Sequence, residues 1–184
     1  SNIEEIRSSG TKMLCANDLS VEDIGSALNA KFFYRKIGQI GVGRMSYGGE
    51  ITIQPAVFED FFLIQMPFSG FEQISLGKDK ILCSPQEIGI INPYVKSMIN
   101  HKPNTEKLVI RIDKKLIEKN CQQILNCTLN KNIEFEPTMS VSTNAGMQWL
   151  RMVGWIFNFI SDEENLSPLM VAQIENNLAN MLLE

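Results

Sequence analysis

Residues able to do acid–base, nucleophilic or metal chemistry are few in this chain and scattered. The sequence holds one histidine, His101, in the polar segment Asn100-His101-Lys102-Pro103-Asn104. An open metal site in a β-barrel needs several imidazoles together with a carboxylate. A lone histidine cannot build one, and its polar neighbours predict an exposed loop residue. A Ser–His or Cys–His nucleophile would have to recruit the same ring, and the G-x-S-x-G elbow is absent. Gly38, Gly41 and Gly43 resemble a dinucleotide loop only in spacing, because strand-forming residues surround them and no helix follows. The carboxylates Glu50, Glu59, Asp60, Glu72, Asp79 and Glu87 show no spacing that singles out an acid/base pair, and they read as surface and turn residues. These residues predict no catalytic group, no metal site and no cofactor.

Composition narrows the partners. A net charge of -4 argues against a phosphate-gripping surface, since such binding depends on clustered Lys and Arg. The densest basic run, Lys102, Lys107, Arg111, Lys114, Lys115 and Lys119, is broken by Glu106, Asp113 and Glu118 and reads as a solvated face. Cysteines at 15, 83, 121 and 127 lack C-x-x-C spacing, as expected of free thiols in a reducing cytosol. No apolar run approaches the roughly 20 residues of a membrane span. With 184 residues, 44% of them hydrophobic, the chain fits one globular domain of ordinary size.

The elements that would position any site fall into two halves. Over about 17–112, short runs rich in Ile, Val, Phe and Tyr alternate with Gly, Pro and Asn clusters, the pattern of brief strands joined by turns. The runs are 32–37, 40–47, 50–53, 61–68, 71–76, 80–84, 87–91, 95–99 and 107–112, and their spacing suits a sandwich or jelly roll. Residues 61–66 are nearly all apolar, which predicts a strand buried on both faces; 71–76 are mixed, which predicts a place near an edge or a pocket mouth.

Over about 113–184 the period becomes helical. Asp113 is the expected cap of a first helix carrying Leu116, Ile117, Cys121, Ile124 and Leu125. Thr143 or Asn144 opens a second, whose two stripes (Trp149, Val153, Ile156, Ile160 and Met152, Trp155, Phe159) predict two buried faces. Ser167 and Pro168 open a third, with Met170, Ile174, Leu178, Met181 and Leu182 along one side. That side must pack on something, either within the chain or across a dimer. The third helix reaches Glu184 with no Gly cap or terminating Pro, so the natural chain is expected to continue.

The run Ile40-Gly41-Val42-Gly43-Arg44-Met45-Ser46-Tyr47-Gly48-Gly49-Glu50, with Phe61-Phe62-Leu63-Ile64-Gln65-Met66-Pro67-Phe68-Ser69-Gly70, resembles the N-terminal domain of AraC/XylS-type transcription regulators. Ser84-Pro85-Gln86-Glu87 follows where that family has a Pro-Gly-Asp turn, with Gln86 and Glu87 replacing the usual Gly and Asp; Asn92-Pro93 and Leu108-Val109-Ile110-Arg111-Ile112-Asp113 complete the order of elements. The resemblance implies a mainly β fold, a cupin-like double-stranded β-helix (jelly roll) without metal, followed by helices used for dimerisation. It also implies DNA binding by a helix-turn-helix domain beyond this chain. Such a domain would hold a small-molecule effector, be cytoplasmic, form a homodimer, and touch neither membrane nor, by itself, DNA.

Polar groups on otherwise apolar strands are the natural orienting contacts for that effector: Arg44, Tyr47, Gln65 and Arg111, with Phe62, Met66 and Phe71 as candidate walls. An arginine there would favour an anionic ligand, and the walls an aromatic one. The alternatives are a solvated Arg44, a core amide at Gln65 and an ion-paired Arg111. Met170, Ile174, Leu178 and Leu182 are the expected dimer contacts, with packing inside the chain as the alternative. A metal-free isomerase using a Tyr, Glu or His base in the same barrel, and an interaction module with a filled barrel, are the competing functions.

Overall fold

The computed structural model describes residue 8 and residues 17–21, 29–162 and 165–184; Cys15 lies outside them. Along the chain run β1 (Asn17–Val21), β2 (Lys31–Ile37), β3 (Ile40–Ser46), β4 (Ile51–Pro55), β5 (Phe61–Ser69), β6 (Glu72–Leu76), β7 (Asp79–Cys83), β8 (Glu87–Ile91), β9 (Ser97–His101) and β10 (Glu106–Asp113). Then come α1 (Lys114–Leu125), β11 (Thr138–Ser140), α2 (Asn144–Asp162) and α3 (Pro168–Leu183).

The strands form two antiparallel sheets, in the orders β1-β4-β9-β6-β7 and β11-β8-β5-β10-β3-β2. Neighbours distant in sequence, such as β4 with β9 and β5 with β10, wind the chain into a jelly roll. This is the cupin-like fold with C-terminal helices that the strand pattern and the resemblance led us to expect.

Period-two alternation divides the apolar residues between two cores. Tyr47, Ile51, Leu63, Ile74, Ile91, Ile99 and Val109 fill the space between the sheets. Residues of the opposite parity on the same strands, including Phe62, Ile64, Met66, Ile110 and Ile112, join Leu116, Trp149, Val153, Ile156, Ile174 and Leu178 in a second core under the helices. β5 is therefore buried on both faces, as its composition predicts. Each fully buried large side chain contributes about 1.5–3 kcal/mol, so the helices are an integral layer of the fold.

β6 lies next to the edge strand β7, near the edge as its mixed composition predicts, with Gln73, Leu82 and Met98 exposed on the outer face of the sheet. Two other expectations change. Asp113 precedes α1 but its side chain makes no capping bond; it pairs with Arg111 Nη1 at 2.7 Å instead. On α2, Trp149, Val153, Ile156 and Ile160 are buried, but the second stripe is only partly so: Met152 and Phe159 pack against the core, while Trp155 is 51% exposed and stacks on Phe159 at 5.3 Å. The other caps are as expected, with Thr143 Oγ1 accepting from Gly146 N at 3.1 Å and Ser167 Oγ from Met170 N at 3.2 Å. Gly41 and Gly43 lie within β3, where a Cβ at Gly41 would collide with the Tyr34 hydroxyl, so the glycine run serves packing.

Candidate ligand-binding site

The concentration of polar chemistry lies between the sheets. Glu72 stands directly opposite His101 in the β6–β9 ladder, and both side chains point inward with Ile74 and Ile99 of their own strands. From the facing sheet, β5 contributes Gln65 and β10 contributes Lys107, each on the inward parity that also carries Leu63 and Val109. Gln65, Glu72, His101 and Lys107 are all at most 2% exposed.

One ammonium ties the group together. Lys107 Nζ donates to Gln65 Oε1 and to Glu72 Oε1, each at 2.5 Å. Glu72 Oε1 is also 2.7 Å from His101 Nδ1, and His101 Nε2 is 3.1 Å from the Thr105 carbonyl. The His101 and Tyr47 rings meet edge to face at 4.7 Å between centroids. Gln65 Nε2 and Glu72 Oε2 are buried and have no hydrogen-bonding partner among the described residues.

Protonation follows from burial and neighbours. Desolvation pushes the Glu72 pKa up, but the Lys107 charge and the bonds from His101 and Lys107 outweigh it, and the carboxyl is held below its ordinary range. His101 is pushed below its ordinary value, chiefly by burial and despite the Glu72 bond. The neutral ring then has one proton for two acceptors, and the shorter, charge-assisted contact takes it, so Nδ1–H donates to Glu72. Burial and the Glu72 charge raise the Tyr47 phenol and push the Cys83 thiol up to about 12, so both stay protonated.

Tyr47 and Gln65 are thus brought together inside the barrel, while the other candidate contacts lie elsewhere. Arg44 has the opposite parity on β3 and is half-exposed, paired with Glu106 Oε2 at 2.6 Å and placed over the Phe68 ring. Arg111 faces inward near the far end of β10, paired with Asp113 and lying over Phe61 at 4.4 Å. Phe62 and Met66 belong to the core under the helices, where Trp149 Nε1 donates to Met66 Sδ at 3.2 Å. Phe71 is 41% exposed beyond the end of β5.

His101, Glu72 and Lys107, read from sequence as exposed loop, surface carboxylate and solvated base, are corrections. β9 runs two residues beyond the apolar stretch ending at Ile99, which turns His101 inward. Glu72-x-Ile74 and Lys107-x-Val109 carry the same two-residue period, and this was the available signal. Among the described residues, no group of three or more His, Cys, Asp and Glu side chains could hold a metal ion.

Fold and site together define a jelly-roll domain with a polar cluster buried between its sheets and a helical layer on one outer face. The chain belongs to the AraC-binding-like domain family, whose model matches residues 6–183. It is a regulatory domain by that membership. It is 19% identical, over 187 aligned residues, to a probable thc operon regulatory protein of Rhodococcus erythropolis; the match covers 99% of this chain and 56% of that protein. The crystal structure of the AraC-like transcriptional activator CuxR superposes on 99% of the chain with a TM-score of 0.74 at 9% identity, covering 64% of CuxR. The chain thus spans little more than half the length of the curated relative it matches. A cupin superfamily protein from Desulfitobacterium hafniense covers 48% of the chain at 15% identity with a TM-score of 0.41, too slight a likeness to argue from.

Proposed function

We propose that this chain is the ligand-sensing and dimerisation domain of a cytoplasmic AraC-type transcription regulator. A small effector binds between the sheets at Gln65, Glu72, His101, Lys107 and Tyr47. DNA is contacted by residues outside this chain. The observation that carries this reading is the two-faced β5: Gln65 reaches the interior site, while the adjacent Met66 touches Trp149 of α2. A ligand preferring one arrangement of β5 and β10 therefore biases the helices packed on their outer faces.

Dimerisation uses the outer face of α2 and α3. Ile174, Leu178 and Leu182 are 0–5% exposed within the single chain and Met170 is half-buried, so that stripe is occupied by its own core. Exposed Trp155 and a groove of about 590 Å³ lined by Gln148, Arg151, Met152, Asn177 and Met181 remain available to a second copy.

The isomerase reading is less well supported. The His101 Nδ1 proton is committed to Glu72 and Nε2 lies against the Thr105 carbonyl, while the remaining Glu72 oxygen belongs to a carboxylate held low, which makes a weak base.

A thermal-shift screen of metabolites tests the sensing role. A ligand at about 100 times its Kd adds roughly 2.7 kcal/mol, or about 5–10 °C in a domain of this size. Such a shift in the chain, lost in Gln65→Met, is the expected result. No shift from any metabolite class, or steady turnover of a bound compound, would count against it.

A further inference from the structure

The two arginines that sequence offered for recognising an anion, and the lysine found inside the barrel, each have a carboxylate partner. Arg44 pairs with Glu106, Arg111 with Asp113, and Lys107 with Glu72. Inside the barrel, a donor, Gln65 Nε2, and an acceptor, Glu72 Oε2, are left without a partner among the described residues. Their assignment is fixed by one ammonium: Lys107 Nζ takes Gln65 Oε1 and Glu72 Oε1, so the amide nitrogen and the second carboxylate oxygen are the outward ends of the two groups.

A buried donor and a buried acceptor each cost free energy until matched. A ligand carboxylate could satisfy the amide but would bring a second negative charge against Glu72 in a low-dielectric interior. A neutral group that both accepts and donates satisfies both atoms and leaves the charges balanced.

We propose that Gln65 and Glu72 form a matched donor–acceptor site that selects a neutral hydroxyl- or carboxamide-bearing effector over an anionic one. This deepens the ligand-sensing reading and rests on it. Lys107 is the positioning residue, turning both groups so that Nε2 and Oε2 are presented to the ligand.

The test uses matched pairs in which one member is neutral and the other its carboxylate: nicotinamide with nicotinate, glucose with gluconate, and longer amides and polyols with their acids. Each is titrated against the chain by calorimetry and thermal shift. The expected result is binding by neutral members, with the acid partners weaker by about tenfold or more. In Gln65→Met, checked for its fold by circular dichroism, binding of the neutral member falls by a similar factor. Acids that bind as well as or better than their neutral partners overturn the selectivity while leaving ligand sensing intact. Full affinity in Gln65→Met overturns the site. Silence from both members of every pair removes the sensing reading, and the selectivity with it.

Discussion

Glu72 of the five-stranded sheet and Lys107 of the six-stranded sheet meet at 2.5 Å between Oε1 and Nζ, with side chains 0% and 2% exposed. This ion pair bridges the two layers where the interior would otherwise be apolar. Desolvating both charges costs several kcal/mol, and the pair is tolerable because Gln65 and His101 supply further hydrogen bonds.

Removing one partner should therefore cost far more than removing both. Lys107→Met leaves the Glu72 carboxylate buried without its cation, and we expect a loss of about 3–5 kcal/mol. The double variant Lys107→Met/Glu72→Leu should recover most of that loss. Urea denaturation measures both; single variants within about 0.5 kcal/mol of the parent would mean that water reaches the site.

Stability should fall as the solution is acidified from pH 7. The His101 pKa in the folded chain lies below its ordinary value, so the unfolded chain takes up this proton first as the pH drops below about 6.5. Glu72 is also shifted down, and its contribution is lost in the range below the ordinary carboxylate pKa of about 4.3. Both groups make the unfolded state the better proton binder, with a slope of at most about 1.4 kcal/mol per pH unit for each proton. His101→Gln should flatten the stability profile between pH 7 and 5; an unchanged slope would show that His101 does not titrate on unfolding.

Trp149 joins the helical layer to the barrel. Trp149→Ala should destabilise by about 3–5 kcal/mol, since it opens a cavity against Met66 and its neighbours. In a Trp155→Phe background the buried indole is the remaining tryptophan, and its emission should change when an effector binds. Emission unmoved by a ligand known to bind would break the proposed link between β5 and α2.

Trp155→Glu should convert the chain to a monomer in sedimentation while leaving its circular dichroism unchanged, because Trp155 is half-exposed and outside the core. A parent chain that is monomeric at high concentration would remove the dimer proposal.

Strand-and-helix order was readable because turn residues and hydrophobic period are local: β2 to β10 and the Ser167-Pro168 start of α3 follow from nearby residues. The order of strands across each sheet is set by contacts distant in sequence and was not legible; the resemblance supplied the jelly-roll class alone. Gln65 and Tyr47 were legible as polar groups on apolar strands. His101 was hidden because a polar segment that looks like loop continues β9, and Lys107 because a lysine within a basic run gives no sign that it faces a glutamate of the other sheet. Phe62 and Met66 were placed with the wrong neighbours for a related reason: a strand apolar on both sides does not disclose which face looks into the barrel.

The side-chain amide of Gln65 tests the central claim most directly. In a 15N–1H spectrum its pair of NH2 resonances is assigned by its disappearance in Gln65→Met. On titration with a stabilising neutral effector, the account predicts that this pair shifts with occupancy. Resonances of Gln65 that stay fixed while those of surface residues around Arg44 or Phe71 move would place the ligand outside the barrel and contradict it.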